Sequence, residues 1–357
     1  MKITNVSAAF VPAPKIGPYW QNWLGQLPVR IETDAGITGY GMGAGGSAGV
    51  AVVCSVLRST IMGKDPANVE QLWRQMYEMT MAFGQKGLAI MAISGVDHAL
   101  WDIRAKVADK PLAELLGGKV GQKIPIYAAL LADHEGVQKA IDQGYRAVKP
   151  QLMYLNPQTE RNEVVAWAKD ARRRLGPDGK IMLDFGMRWG VEPTVKLDAE
   201  IYEHGIEWLE EPVWPDEWEE YEELVRRCRI PIAGGEHEFT AKAFERIIDH
   251  KLHHVVQPDP SWCGGMTTLV EIYRKAKAAG VKVRPHRGSE IWGLHAVAAF
   301  DDEPMAEMGR GWIDYEEGAP KTEHGYKTLS NRPGYGVEFP KSLNWVSEAL
   351  SPPSSGG

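Results

Sequence analysis

From Ile124 onward the chain repeats one pattern, and that repeat restricts the fold more than any other feature. Eight short β-rich runs (IPIYAAL, YRAVKPQ, KIMLDF, IEWLEE, IPIAGGE, HHVVQPD, VKVRPH and PMAEM) alternate with helical stretches such as 157–175 and 240–250. Strands joined through helices pair in parallel, and eight such units predict an α/β barrel rather than an open sheet. The last connection, around 294–300, has to be short. The residues before the repeat read as a separate α+β unit. Val29, Ile31 and Thr33 alternate with polar residues, Asp34-Ala35-Gly36 turns, and Ile37-Thr38-Gly39-Tyr40 returns, which is a hairpin pattern. Over 88–107, Ile90, Ile93, Leu100, Ile103 and Val107 recur at helical spacing and predict a helix with one apolar stripe. Pro111 and the Gly117-Gly118 pair bound a short helix and close this unit. After Tyr315 the periodicity weakens, and the chain is expected to return to pack on the first unit.

Composition narrows the function. The formal charge of −7 without any Lys/Arg block argues against a nucleic-acid partner, so a small molecule is the expected ligand. Three dispersed cysteines (Cys54, Cys228, Cys263) with no CxxC spacing fit a reducing compartment. The opening MKITNVSAAFVPAP has no long apolar core, and no apolar run reaches the ~20 residues that span a bilayer. A cytoplasmic protein without membrane contact is expected, with a disordered SPPSSGG tail. Gly41-Met42-Gly43-Ala44-Gly45-Gly46 matches GxGxxG before a helical stretch over 48–57. A dinucleotide site needs a βαβ unit and an acidic residue ending the next strand. Here the preceding strand is half of a hairpin, and the nearest acid, Asp65, sits in a Lys-Asp-Pro turn. A flexible glycine loop near a pocket is the expected reading.

The chemistry is carried by the residues that end the barrel runs. Asp184, Glu210, Glu236, Asp259 and His286 follow one another at separations of 26, 26, 23 and 27 residues, about one βα unit each. Residues at barrel strand C-termini converge on one mouth, where active sites form. Three converging carboxylates, Asp184, Glu210 and Glu236, repel one another and call for a cation. An all-oxygen set favours Mg²⁺, with Mn²⁺ as a substitute. Glu211 adjoins Glu210, and strand alternation points only one of the two inward. Asp259 and His286 lie on adjacent strands. A carboxylate beside an imidazole favours the protonated ring by typically one to three pKa units, roughly 1.4–4 kcal/mol, making His286 a stronger base.

The strings WLEEP, GGEHEFT, QPDPSWCGGMTTLVEI and RPH, with ISGVDHALWDI in the first unit, resemble the mandelate racemase/muconate lactonizing branch of the enolase superfamily. Within it, GEH, QPDPSWCGGMTTLVEI and PHRGS are most similar to the L-rhamnonate dehydratases. The resemblance covers nearly the whole chain. It implies a modified TIM barrel, (β/α)₇β, over 123–320, an N-terminal α+β capping domain over 1–122, and a C-terminal segment, 321–357, returning to the cap. It further implies one Mg²⁺ on the three carboxylates, a His286–Asp259 dyad that abstracts the proton α to a substrate carboxylate, and a homo-oligomer. That proton is weakly acidic, and its removal adds negative charge which a divalent cation can stabilise.

The resemblance also assigns roles around the dyad. Lys149 is expected to bind the substrate carboxylate. Gln151 stands where a second lysine would supply a base on the opposite face, so one-base dehydration by His286 is expected rather than two-base racemisation. Glu307 resembles a hydrogen-bond donor to the substrate carboxylate, which requires it to be protonated. His237 is expected to meet substrate hydroxyls. Trp20 and Trp23, in the loop Gly17-Pro18-Tyr19-Trp20-Gln21-Asn22-Trp23, are expected to wall the pocket; this loop lacks the histidine expected of an L-rhamnonate enzyme. The expected function is therefore dehydration of a sugar acid to a 2-keto-3-deoxy acid. A cycloisomerase of an anhydro-sugar acid or lactone is the near alternative. A Schiff-base aldolase using Lys149, or a catalytically silent binding protein, stands further off.

Overall fold

A computed structural model of the chain describes residues 1–13 and 25–348. The first three strands, β1 (Ile3–Ala8), β2 (Gln26–Thr33) and β3 (Thr38–Ala44), form an antiparallel sheet in that order. Two longer helices follow, α1 (Val69–Thr80) and α2 (Leu88–Val107). Gly39, Gly41 and Gly43 share one face of β3, as period-two spacing dictates, and α2 lies against them. A Cβ at Gly41 would lie 2.1 Å from the Gly95 carbonyl oxygen, and one at Gly43 would lie 2.4 Å from that of Met91. The glycine run is therefore part of a strand that lets a helix backbone approach, not the flexible loop expected from its motif. Gly41→Ala is expected to cost about 1–3 kcal/mol through overpacking, read as a lowered urea midpoint; an unchanged midpoint would show that helix and sheet separate freely.

Helix α2 also departs from expectation. Instead of one apolar stripe, every residue from Ala89 to Ile103 is buried. The cause is its position between the sheet and the barrel helix α8 (Gly265–Ala279). Its small residues, Ala89, Ala92, Ser94, Gly95 and Ala99, allow contact on faces that a stripe would leave open.

The barrel strands are β4 (Lys123–Leu131), β5 (Ala147–Gln151), β6 (Lys180–Asp184), β7 (Ile206–Glu210), β8 (Ile232–Gly234), β9 (Val255–Val256), β10 (Lys282–Val283) and β11 (Ala306–Glu307). They pair in parallel in chain order, and β11 joins the free side of β4. The seven connections carry α3 (His134–Asp142), α4 (Arg161–Leu175), α5 (Val191–Ile201), α6 (Trp218–Arg227), α7 (Thr240–Asp249), α8 and α9 (Ile291–Phe300). This is the expected modified (β/α)₇β barrel with its N-terminal α+β cap. Helix α4 starts four residues later than its periodicity suggests, because Asn156 and Glu160 close a polar turn first. Inside the barrel, Tyr127, Ala147, Met182, Trp208, Ala233, Val255 and Met305 form a buried layer that fills its lower end.

The C-terminal segment touches both parts. Strand β12 (Tyr326–Thr328) pairs antiparallel with the start of β4, Gly334 bridges to Pro111, and Val346 bridges to Ala8. Among the described residues, no helix is long and apolar enough to cross a membrane.

Candidate active site

Seven of the eight barrel strands lead to a chemical residue at or just past their C-terminal ends. Asp184, Glu210 and Glu307 are the last residues of β6, β7 and β11, while Gln151 ends β5. Parallel register sets Asp184 beside Glu210 and Gln151 beside Asp184. Glu236, Asp259 and His286 sit two or three residues past β8, β9 and β10, so the rim is built from loops that keep the strand direction. Trp20 and Trp23 lie outside the described residues.

Lys149 occupies the centre. Only 1% exposed, it is no solvated lysine. Its Nζ lies 2.7 Å from Glu307 Oε1 and 3.6 Å from Asp184 Oδ2, and it contacts Glu210. Burial lowers its pKa, but Glu210, Glu307 and Asp184 outweigh that and hold it well above the usual lysine value. Glu210 Oε2 also accepts from Gln257 Nε2 (2.7 Å) and Trp208 Nε1 (3.0 Å). Carboxylates nonetheless outnumber the ammonium. Burial raises the Asp184 carboxyl, Lys149 pulls it back, and Glu236 and Glu307 add to the rise, leaving it at about 6. Burial likewise lifts Glu210, with Asp184 adding to the rise and Lys149 opposing it. Such a site favours an added cation.

His286 Nδ1 lies 2.9 Å from Asp259 Oδ2, and its Nε2 lies 3.3 Å from Glu236 Oε2. Burial lowers the imidazole pKa, but Glu236 and the Asp259 hydrogen bond win against both burial and Arg287, so it is raised. Asp259 stays well below the usual carboxylate range despite its burial, because Arg287 and His286 both face it. Its Oδ1 accepts from the Ser261 N–H (2.8 Å).

Glu307 departs from the protonated donor that was expected. Its Oε1 pairs with Lys149 and its Oε2 accepts from the Arg287 N–H (2.8 Å). Burial raises its pKa, yet Lys149 and His286 bring it below the usual value, so it is an ionised acceptor here.

Glu211 and Arg287 were not singled out from sequence, and both have left-handed backbone, φ 39° and 51°. At Glu211 this breaks strand alternation, so its carboxylate reaches the mouth as well as that of Glu210. Glu211 Oε2 lies 2.8 Å from His237 Nδ1, and His237 Nε2 lies 3.7 Å from Glu236 Oε1. Burial lowers the His237 pKa, but Glu211 and Glu236 lift it to about 10. Trp262 supplies an aromatic wall, its ring centroid 5.7 Å from that of His286 and 6.0 Å from that of His237. Its position three residues after Asp259, in a mouth loop, was the signal available for it.

Two overlapping groups could hold a cation. Glu211, Glu236 and His237 place their ligand atoms within 4.8 Å of one another. This set differs from the expected Asp184, Glu210 and Glu236 because Lys149 draws Asp184 and Glu210 to itself. In this arrangement His237 Nδ1 is taken up by Glu211 at 2.8 Å, which makes the group an ion-paired cluster. The oxygen-only trio is the better chemical match to Mg²⁺.

The match to known proteins extends over the same regions. The model of the family "Enolase C-terminal domain-like" fits residues 132–343, and that of "Mandelate racemase / muconate lactonizing enzyme, N-terminal domain" fits residues 26–117. The chain is 31% identical over 335 residues to the "Putative L-rhamnonate dehydratase" of Caldivirga maquilingensis, covering 90% of this chain and 83% of that protein. It superposes on the 3,6-anhydro-D-galactonate cycloisomerase of Zobellia galactanivorans with a TM-score of 0.83 and 27% identity, covering 95% and 97% of the two chains. A racemase from Streptomyces coelicolor A3(2) with bound magnesium gives 0.83 and 27%, over 94% and 97%. The cap, the barrel and the residues at its mouth thus place this chain in the mandelate racemase/muconate lactonizing enzyme family of the enolase superfamily.

Proposed function

We propose that this protein is a Mg²⁺-dependent acid-sugar dehydratase, a lyase that converts a sugar acid to a 2-keto-3-deoxy acid. The observation that carries this reading is the asymmetry of the mouth. One side has a complete base, His286 on Asp259 at 2.9 Å. The opposite strand end has Gln151, which cannot take a proton. His286 Nε2 takes the proton α to the carboxylate. The β-hydroxyl then leaves as water with that proton returned by the same imidazole, and the resulting enol becomes the keto acid. Asp184, Glu210 and Glu236 would hold the metal, which supplies a Lewis acid for charge building on the substrate carboxylate. Lys149 binds that carboxylate, Glu307 orients Lys149, and His237 donates to substrate hydroxyls.

A second reading draws on the likeness to the Zobellia galactanivorans cycloisomerase. The same proton abstraction would then expel a ring oxygen instead of water. A Schiff-base role for Lys149 fits poorly, because it needs a neutral amine and this one is held protonated.

The test is a screen of mono- and diacid sugars with Mg²⁺, read by keto-acid formation and product mass. A product lighter by one water, lost in EDTA and regained with Mg²⁺, is the expected result. A product of unchanged mass would move the assignment to cycloisomerisation. Turnover that survives EDTA would overturn the metal-dependent reading altogether.

A further inference from the structure

The turn that follows Asp259 is gripped from outside the barrel. Within that turn, the Asp259 carbonyl accepts from the N–H groups of Trp262 (3.0 Å) and Cys263 (2.8 Å), and its Oδ1 accepts from Ser261. The cap reaches the same turn. Trp73 of α1 donates to the Gly264 carbonyl (2.7 Å), and Ser94 of α2 accepts from the Gly264 N–H (2.9 Å). Asp97 accepts from both the N–H (2.9 Å) and the hydroxyl (2.6 Å) of Thr267 at the start of α8. His98, fully buried, places Nε2 3.0 Å from the Pro260 carbonyl and Nδ1 2.6 Å from the Tyr335 hydroxyl.

The chemistry of these partners fixes the ring. A carbonyl only accepts, so His98 Nε2 carries the proton and Nδ1 accepts from the Tyr335 O–H. Burial pulls the His98 pKa down to about 4, which keeps the ring neutral and in this single tautomer. Tyr335 belongs to the C-terminal segment, His98 to the cap, and Pro260 directly follows the residue that orients His286. A chain of hydrogen bonds therefore runs from two segments outside the barrel to the Pro260–Ser261 peptide, whose N–H holds Asp259 Oδ1.

We infer that His98 is a positioning residue for the proton-transferring dyad: it pins the Pro260 carbonyl and so fixes the direction in which Asp259 holds His286. The inference rests on the function proposed above. Misplacing a reacting group by about 1 Å can cost 10²-fold in rate, so a small rotation of this turn is enough to matter.

The test uses the full chain with Mg²⁺ and three variants. His98→Phe removes the donor, His98→Gln keeps an amide N–H that can reach Pro260, and Tyr335→Phe deletes one hydroxyl. Two readouts are taken: the split of kcat against KM on an active acid sugar, and the downfield proton resonance of His286 Nδ1–H, assigned by its loss in His286→Asn. His98→Phe is expected to lower kcat by about 10- to 100-fold with KM nearly unchanged, and to shift that resonance. His98→Gln is expected to restore most of both, and Tyr335→Phe to lower kcat by about 3- to 10-fold. A folded His98→Phe protein with native kcat and an unmoved resonance overturns the inference, as does a Gln variant no better than Phe. Should His98→Phe fail to fold, Tyr335→Phe decides by the same two readouts. Should the wild-type protein turn over no acid sugar, the proposed function fails, and the resonance alone decides the role of His98.

Discussion

His286→Asn is expected to abolish turnover, lowering kcat by roughly 10²–10⁴-fold, with Mg²⁺ affinity by titration calorimetry within about threefold of wild type. Asparagine retains an N–H that can face Asp259, so the turn and the carboxylate keep a partner. It has no group that takes a proton near neutral pH. The ring's Nε2 lies 3.3 Å from Glu236, while Glu236 itself sits on a separate loop after β8. Loss of the imidazole therefore removes the base and leaves the carboxylates in place. Wild-type turnover in this variant would sink the one-base mechanism. A collapse of metal affinity would instead show that His286 belongs to the cation site.

Lys149→Met has the largest expected effect on stability. The ammonium is surrounded by Asp184, Glu210 and Glu307, and it is buried with them. Removing one partner from a buried ionic cluster leaves uncompensated charge, typically at a cost of about 3–5 kcal/mol. That loss is expected in EDTA by urea denaturation. Saturating Mg²⁺ is expected to recover part of it, because a ligand bound only by the folded state stabilises that state and supplies the missing positive charge. Turnover should stay low in both conditions, since the substrate carboxylate has lost its partner. Equal stability of variant and wild type in EDTA would mean that Glu210 and its neighbours are protonated rather than paired with Lys149.

Much of the site was legible because chain spacing survives where hydrogen bonding does not. Glu236, Asp259 and His286 lie beyond the ends of β8, β9 and β10, yet the βα period still locates them. What escaped depends on backbone dihedrals and packing. Glu211 needed its left-handed φ to turn toward His237, and no rule of alternation supplies that. Arg287 is similar: its N–H serves Glu307 while its guanidinium returns to Asp259. The protonation of Glu307 depended on how close Lys149 comes, which spacing alone does not give. In the cap, the glycines of β3 fitted a phosphate-loop pattern and a close-packing pattern equally, and only the presence of α2 against that face separates the two. The full burial of α2 was hidden because small residues count for little in a periodicity argument, although they are what allow neighbours on every side.

The layer from Tyr127 to Met305 gives the reaction chamber a floor. A chamber with a floor is a cul-de-sac: substrate, product and any released water use the same doorway, and one occupant has to depart before the next enters. Traffic through that doorway and the handling of the proton are then two separate clocks, and only the second is set by His286.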